Sequence, residues 1–145
     1  MKLPVAFLTD AAIGLTGCMS GLVGPLPVTT PATAANVHVM RISTIEDITV
    51  GFRILYDQHK LFNINNGEAG SFQVPPGRHD IAVECFGGLV PIIHTYDLQE
   101  NFVAGQDYYF QVQPGFINCA SIQSMTADQG RSMIPGMTPV SLSNN

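Results

Sequence analysis

The sequence predicts a mainly β protein: an antiparallel β-sandwich with a short helix near its C-terminus. Three observations lead to this fold class. Apolar residues recur at every second position in several short segments, turn-forming residues separate these segments, and hydrophobic residues make up 46% of the chain. The first two features are typical of half-buried strands that reverse direction often, and the third supplies a core for one domain.

Each predicted strand follows from this alternation. The apolar faces in chain order are Val50, Phe52, Ile54 and Tyr56; Ile81, Val83 and Cys85; Val90, Ile92, His94, Tyr96 and Leu98; and Tyr108, Phe110 and Val112. Turn residues lie between them, with Asn-Asn-Gly at 65–67, Pro-Pro-Gly at 75–77, Gly-Gly at 87–88, Ala-Gly at 104–105 and Pro-Gly at 114–115. Thr126 and Gln129 have the spacing of a capping box, which predicts a helix that Gly130 keeps short.

The N-terminal residues indicate export and lipid attachment. Lys2 precedes an apolar run, and Leu15-Thr16-Gly17-Cys18 follows it. This tetrapeptide resembles the lipobox of bacterial lipoproteins, in which a cysteine after two small residues receives lipid. The resemblance implies a lipoprotein signal peptide over residues 1–17 and a lipid anchor on Cys18. The alternative is that Cys18 is an ordinary residue in a poor signal peptide or in an apolar N-terminal helix.

Composition divides the remaining chain into a tether, a domain and a tail. Residues 18–35 are rich in Pro, Gly and Thr. This predicts a semi-extended tether, because proline can neither continue a helix nor pair in a central strand. Residues 36–134 carry the strand pattern and form the predicted β-sandwich domain. Residues 135–145 contain two further prolines and are predicted to form a flexible tail.

Three features of the domain resemble the PEGA-type domain of bacterial lipoproteins of unknown function. They are the turn at Asp57, the turn Val74-Pro75-Pro76-Gly77-Arg78-His79, and the strand start Ala104-Gly105-Gln106-Asp107-Tyr108-Tyr109-Phe110. The resemblance implies a prealbumin- or immunoglobulin-like sandwich. It implies no activity, because that family is defined by fold and location, and a fold does not specify a function.

Charge and predicted location limit the classes of partner. The formal net charge is −5 and the six basic residues are scattered, so nucleic acid is not an expected partner. Lipid on Cys18 would hold the protein on a membrane of the bacterial cell envelope, facing the periplasm. In enteric-type lipoproteins, a residue other than Asp after the cysteine usually goes with the outer membrane, so the resemblance implies that membrane for Met19 at this position. We expect an envelope protein as the partner.

Two cysteines remain once Cys18 is assigned to lipid. Cys85 and Cys119 both fall on apolar faces, and an envelope compartment is oxidising, which favours a disulfide between them. The alternative is a pair of free thiols that pack as small hydrophobic groups.

No residue pattern indicates catalysis, a metal site or a cofactor. The chain lacks His-x-His, Cys-x-x-Cys, His-Glu-x-x-His and Gly-x-Ser-x-Gly patterns, and it has no glycine-rich phosphate loop. We interpret His79 as a turn-stabilising residue bonded to the local backbone, and His94 as a core or groove histidine. Ser71 is interpreted as a hairpin residue without a nearby base. The sequence thus predicts no catalytic residues, no metal and no cofactor.

Tyr109 is the candidate residue for an interaction surface. Tyr108 and Phe110 share the face expected to pack in the core, which turns Tyr109 to the opposite face. Tyrosine is enriched at protein interfaces, although the alternative is that Tyr109 covers a sheet edge. The favoured function is therefore a non-enzymatic protein-interaction or structural module. A small-ligand- or metal-binding lipoprotein is the first alternative, and a hydrolase with converging nucleophile, base and orienting group is the second.

Overall fold

The computed structural model describes residues 20–44, 50–87, 95–115 and 119–143. Its strands in chain order are β1 (Gly21–Leu22), β2 (Ala35–Arg41), β3 (Gly51–Tyr56), β4 (His59–Ile64), β5 (Glu68–Val74), β6 (Gly77–Phe86), β7 (Thr95–Phe102), β8 (Asp107–Pro114), β9 (Ala120–Met125) and β10 (Thr138–Pro139). Helix α1 (Ala127–Met133) and a 3₁₀ turn (Ile134–Gly136) connect β9 to β10.

The strands form two five-stranded sheets that pack face to face. The first has the order β1-β4-β3-β6-β7, and its pairs are antiparallel. The second has the order β10-β5-β2-β8-β9 and includes two parallel pairs, β10 with β5 and β2 with β8. The predicted β-sandwich with a short C-terminal helix is confirmed. Residue alternation did not anticipate the parallel pairs, because the side-chain period is two whichever way a neighbouring strand runs.

The core lies between the sheets and is built from the alternating apolar residues. Its fully buried members from the predicted faces include Phe52, Ile54, Ile81, Val83, Cys85, Phe110 and Val112. Burial therefore confirms the predicted inward faces of β3, β6 and β8. On β7, Tyr96 and Leu98 pack partly against the same core, whereas Val90, Ile92 and His94 lie outside the described residues.

A smaller apolar cluster lies on the outer face of the second sheet, under α1. The helix begins at the predicted capping box: Thr126 Oγ1 accepts a hydrogen bond from the Gln129 N–H, and the Gln129 side chain accepts one from the Thr126 N–H. Gly130 is buried against Tyr109, and a Cβ at this position would lie 2.2 Å from Cγ of Tyr109. The close contact with Tyr109 therefore explains why position 130 holds a glycine. In the described part of the chain, no helix is long and apolar enough to cross a bilayer.

The described part of the predicted tether lies against the first sheet. β1 pairs with β4, and the N–H groups of Val23 and Gly24 donate to the Leu61 carbonyl at 2.8 and 3.1 Å. Leu22 and Leu26 pack partly on the core. Residues 21–26 are thus part of the sandwich instead of a free tether, because Leu22 and Leu26 are partly buried and the backbone bonds to the edge of β4.

The C-terminal residues also belong to the sandwich, in contrast to the predicted flexible tail. The Thr138 N–H donates to the Gly67 carbonyl at 2.9 Å, and the Val140 N–H donates to the Ala69 carbonyl at 2.8 Å. Val140 is buried in the main core. The prolines that suggested a tail are compatible with a two-residue edge strand, which pairs on one side only.

The connections give the sandwich two distinct ends. The first, which we call the Ser20 end, holds the connection at 65–67 and the pairing of Gly21 with Asn63. The second, the Asp57 end, holds the β3–β4 turn, the connection at 75–76 and the β7–β8 turn. β1 and the residues that follow it run along β4 from the Ser20 end to the Asp57 end, where they form one wall of a cleft.

Candidate functional site

A cleft of about 400 Å³ lies at the Asp57 end of the sandwich. One wall is the segment 25–28, and the other comes from the β3–β4 hairpin and the residues around the 75–76 connection. The lining is largely apolar, with Pro25, Leu26, Pro27, Val28, Leu61 and Pro75. The polar side chains are those of Tyr56, Asp57, His59 and His79. An apolar cleft with a few polar groups at one side is the usual form of a ligand site.

The first wall is held in place by contact between the N-terminal segment and β4. Gly24 lies so close to the strand that a Cβ at this position would fall 2.1 Å from the Lys60 carbonyl oxygen. Only glycine allows the backbone to approach this closely. The hydrogen bonds to the Leu61 carbonyl fix the same point, so residues 25–28 leave the strand in a defined direction.

Asp57 lies in the turn between β3 and β4 and links this turn to the start of β6. It has φ 45°, and Gln58 has φ 66°, the left-handed conformations that a two-residue hairpin turn requires and that Asp tolerates. Its Oδ1 accepts a hydrogen bond from the Asp80 N–H at 2.9 Å, and its N–H donates to the Asp80 carbonyl at 2.9 Å. These two hydrogen bonds therefore hold the β3–β4 turn against the start of β6.

His79 completes this arrangement. Its Nδ1 lies 2.8 Å from Oδ2 of Asp57. Because a carboxylate only accepts, Nδ1 carries the proton and donates, which leaves Nε2 as an acceptor in the neutral ring. His79 was expected to bond to the local backbone. It bonds instead to a side chain 22 residues earlier, because the register of β3 and β6 brings the two turns together.

Tyr56 lies beneath this pair. Its side chain is 7% exposed, and its ring centroid is 5.0 Å from that of His79. Its hydroxyl is buried and has no hydrogen-bond partner among the described residues. Burial, and secondarily the nearby Asp57 carboxylate, raises the pKa of Tyr56 well above its usual range. The phenol therefore stays protonated at neutral pH and is a donor in need of an acceptor.

The outer face of the second sheet brings together a serine, a histidine and an aspartate that the sequence did not connect. His38 Nδ1 lies 2.7 Å from Ser71 Oγ, and His38 Nε2 lies 3.5 Å from Asp107 Oδ1. Cross-strand register explains the contact, because Ser71 is directly opposite His38 on β2, whose other neighbour is β8. Ser71 therefore does have a base nearby, which corrects its interpretation as an isolated hairpin residue.

This chain of contacts has the residue order of an acyl-transfer triad but a different setting. Such enzymes place the serine on a sharp turn and aim N–H donors at the oxyanion. Ser71 instead lies within β5, in the middle of its pairing with β2, and the His38 ring stacks on Tyr109 at 4.8 Å. We interpret the group as a polar cross-strand cluster that stabilises the outer face of the sheet.

Tyr109 is not an exposed interaction residue in this structure. It is 5% exposed and lies between the sheet and α1, where its ring contacts the backbone at Gly130 and stacks on His38. The alternation of side chains correctly predicted that Tyr109 faces away from the main core. It could not show that the C-terminal helix covers that face, because the helix packs there through non-local contacts.

The structure brings the two predicted disulfide partners together. Cys85 in β6 is bonded to Cys119, which precedes β9, with a Cα–Cα distance of 6.1 Å. The bond joins the first sheet to the second. The predicted lipidation site Cys18 and the groove candidate His94 lie outside the described residues. Within the described ranges, no group of three or more His, Cys, Asp or Glu side chains is arranged to hold a metal ion.

Comparison of the chain with protein-family models, with curated proteins and with solved structures finds no match in any of the three. Function is therefore inferred from the chain's own residues.

Proposed function

We propose that the protein is a lipid-anchored cell-envelope protein whose β-sandwich acts as a non-enzymatic protein-interaction or structural module. The observation that carries this proposal is the path of the N-terminal segment. The lipobox-like tetrapeptide ends at Cys18, and from Ser20 onward the chain lies on the sandwich and runs to a cleft at its opposite end. A lipid attached at Cys18 would leave that cleft directed away from the bilayer.

Hydrogen bonds support the firmness of this attachment. The Ser20 hydroxyl donates to Glu68 Oε1 at 2.9 Å, and Glu68 Oε2 accepts a hydrogen bond from the Asn65 N–H at 2.7 Å. Ser20 and the β4–β5 connection therefore share one carboxylate. A domain held this close to its anchor is suited to presenting a surface at a membrane.

A small-ligand-binding lipoprotein is the second candidate, and the cleft is the observation that favours it. Its volume of about 400 Å³ falls within the range of about 300–1,000 Å³ typical of ligand sites. The alternative differs from the main proposal only in the size of the occupant. Co-purification separates the two, because a stoichiometric protein supports the first candidate and a bound small molecule supports the second.

Lipid attachment is tested by metabolic labelling with radioactive palmitate in a bacterial host. We expect the wild type to incorporate label and to sediment with outer-membrane vesicles, and Cys18→Ser to do neither. Cys119→Ser is the matched control, because it removes a cysteine at a site not proposed for lipid and should label as the wild type does. Equal labelling of wild type and Cys18→Ser would exclude the anchor.

The interaction function is tested by light crosslinking of cells, purification of the tagged protein in detergent and identification of partners present in stoichiometric amount. One dominant envelope protein is the expected result. Recovery of the protein alone, from cells in which it is correctly anchored, would contradict the interaction proposal.

A further inference from the structure

We propose that the cleft at the Asp57 end binds an extended peptide segment of a partner protein, in which a basic side chain stands among apolar ones. This inference rests on the proposed interaction function and names the chemistry of the partner. It follows from three properties of the cleft: its position, its apolar walls and its anionic side.

Position comes from the strand register. Gly21 pairs with Asn63 and Leu22 with Phe62, so the N-terminal chain runs opposite to β4 and reaches the β3–β4 turn within a few residues. The proposed lipid and the cleft therefore lie at opposite ends of the first sheet. A partner segment in the periplasm reaches the cleft without competition from the bilayer.

The walls favour an apolar, extended occupant. Pro25, Pro27 and Pro75 lack backbone N–H groups, so these positions offer carbonyl acceptors and no backbone donors. Val28 is 95% exposed at the rim, a large apolar side chain left open to solvent. Leu26 and Leu61 continue the apolar lining inward. A peptide with apolar side chains on both sides of a polar one fits this distribution.

The polar side of the cleft is anionic. The Asp57 carboxylate uses one lone pair on each oxygen, for the Asp80 N–H and for His79 Nδ1, and the side chain remains 41% exposed. The nearby Lys60 ammonium lies 3.7 Å from Glu84 Oε1 and so is directed to another carboxylate. A guanidinium or ammonium group is the natural complement of Asp57, and the net charge of −5 adds a general attraction for basic partners.

The Tyr56 ring lines the cleft, whereas its hydroxyl is buried and has no acceptor among the described residues. An occupant of the cleft therefore contacts the ring and not the phenol oxygen. The choice of a peptide as the occupant rests on the proposed interaction function, together with the apolar walls and the carboxylate of Asp57.

The experiment uses the full-length protein in detergent micelles and three probe peptides: acetyl-Leu-Arg-Leu-amide, acetyl-Leu-Gln-Leu-amide and acetyl-Leu-Glu-Leu-amide. Binding is measured by chemical-shift titration of the ¹⁵N-labelled protein. We expect the arginine peptide to bind up to about five-fold more tightly than the glutamine peptide, the ratio that corresponds to about 1 kcal/mol, the upper end for one exposed ion pair. The glutamate peptide should bind most weakly.

Two variants assign the effect to the cleft. Asp57→Asn removes the charge, and asparagine tolerates the positive φ and keeps an oxygen for the Asp80 N–H, so the turn should fold. In this variant the arginine and glutamine peptides should bind equally. Asp97→Asn, which removes an exposed carboxylate on β7 outside the cleft lining, is the matched control and should keep the preference.

Three results would overturn the inference: equal affinity for the three peptides, an arginine preference that survives Asp57→Asn, and absence of binding up to about 5 mM peptide. Tyr56→Phe gives a further check, because its buried hydroxyl does not face the occupant and its removal should leave the arginine preference unchanged. Lipid labelling and crosslinking do not depend on these peptides, so failure here is distinguishable from failure of the proposed function.

Discussion

At the scale of single residues, two tyrosines show how the same side chain serves different roles in this fold. The Tyr108 hydroxyl accepts a hydrogen bond from the Val103 N–H at 2.8 Å and donates to the Asn101 carbonyl at 3.2 Å, which fixes the β7–β8 turn. The Tyr56 hydroxyl is buried and unpartnered among the described residues. The Tyr108 hydroxyl therefore stabilises the fold, whereas the unpartnered Tyr56 hydroxyl lowers the free energy of unfolding.

The pair predicts opposite responses to removal of the hydroxyl. Tyr56→Phe should leave the free energy of unfolding at pH 7 unchanged or raise it by up to about 1 kcal/mol, because an unsatisfied polar group leaves the interior. Tyr108→Phe should lower it by roughly 1–2 kcal/mol, because two backbone groups lose their partner. Urea unfolding at equal protein concentration measures both. A large loss of stability in Tyr56→Phe would contradict the assignment.

The raised pKa of Tyr56 also predicts a dependence of stability on pH. Below pH ~10 the phenol is protonated in both the folded and the unfolded chain and contributes no slope. Above this value the unfolded chain releases the proton while the folded protein retains it, so stability falls by at most about 1.4 kcal/mol per pH unit. The free energy of unfolding of Tyr56→Phe should fall less steeply than that of the wild type between about pH 10 and about pH 11.5. Parallel curves would exclude the effect.

At the scale of elements, the two terminal segments complete the sandwich. The N-terminal segment covers the edge of β4, and the C-terminal segment covers the edge of β5, so each sheet has one edge protected by a short strand. Protected edges reduce pairing with other chains. The same segments contribute apolar side chains to the core, as Val140 does with 7% exposure.

Val140→Ala tests whether the C-terminal segment is part of the folded unit. Loss of two buried methyl groups should lower the free energy of unfolding by roughly 1–3 kcal/mol. Ser141→Ala is the matched control on an exposed neighbour and should stay within about 0.5 kcal/mol of the wild type. Equal stability of Val140→Ala and wild type in urea would indicate a tail detached from the core.

These elements also show which parts of the structure the sequence could predict. Local signals were sufficient for the strand faces and for the Thr126 capping box, because alternation and capping involve residues that are near in sequence. The cleft was missed, because it exists only where residues 25–28 meet the β3–β4 turn. The covered position of Tyr109 was missed for the same reason, since it depends on helix packing and not on strand period.

At the scale of the whole molecule, the Cys85–Cys119 bond joins the two sheets across the core. The two cysteines are 34 residues apart. In the chain-entropy model, a crosslink of this span stabilises the folded state by about 3–4 kcal/mol, because it restricts the unfolded chain. Cys85 is buried in the apolar core and Cys119 is partly buried against it, so the Cys85 sulfur is shielded from reductants while the protein is folded.

Reduction should therefore matter mainly during unfolding. In urea, the wild type should lose about 3–4 kcal/mol of stability when a thiol reductant is present. The double variant Cys85→Ala with Cys119→Ala should show the lower stability in both conditions. Alkylation under denaturant provides the direct control, since the wild type should label at these two positions only after reduction. A reductant-insensitive wild type would exclude the bridge.

In the proposed lipid-anchored form, the N-terminal segment folded onto β4 would also set how far the protein can act from the membrane. An extended chain covers at most about 3.6 Å per residue, so a free tether over residues 18–35 would allow a radius of roughly 60 Å. With the chain held from Ser20 onward, only Cys18 and Met19 would separate the proposed lipid from the sandwich, a distance of at most roughly 7 Å. The working radius is then the length of the sandwich itself, roughly 33 Å along the ten residues of β6. A lipid-anchored form would thus have a short reach and would contact only partners that come close to the bilayer surface.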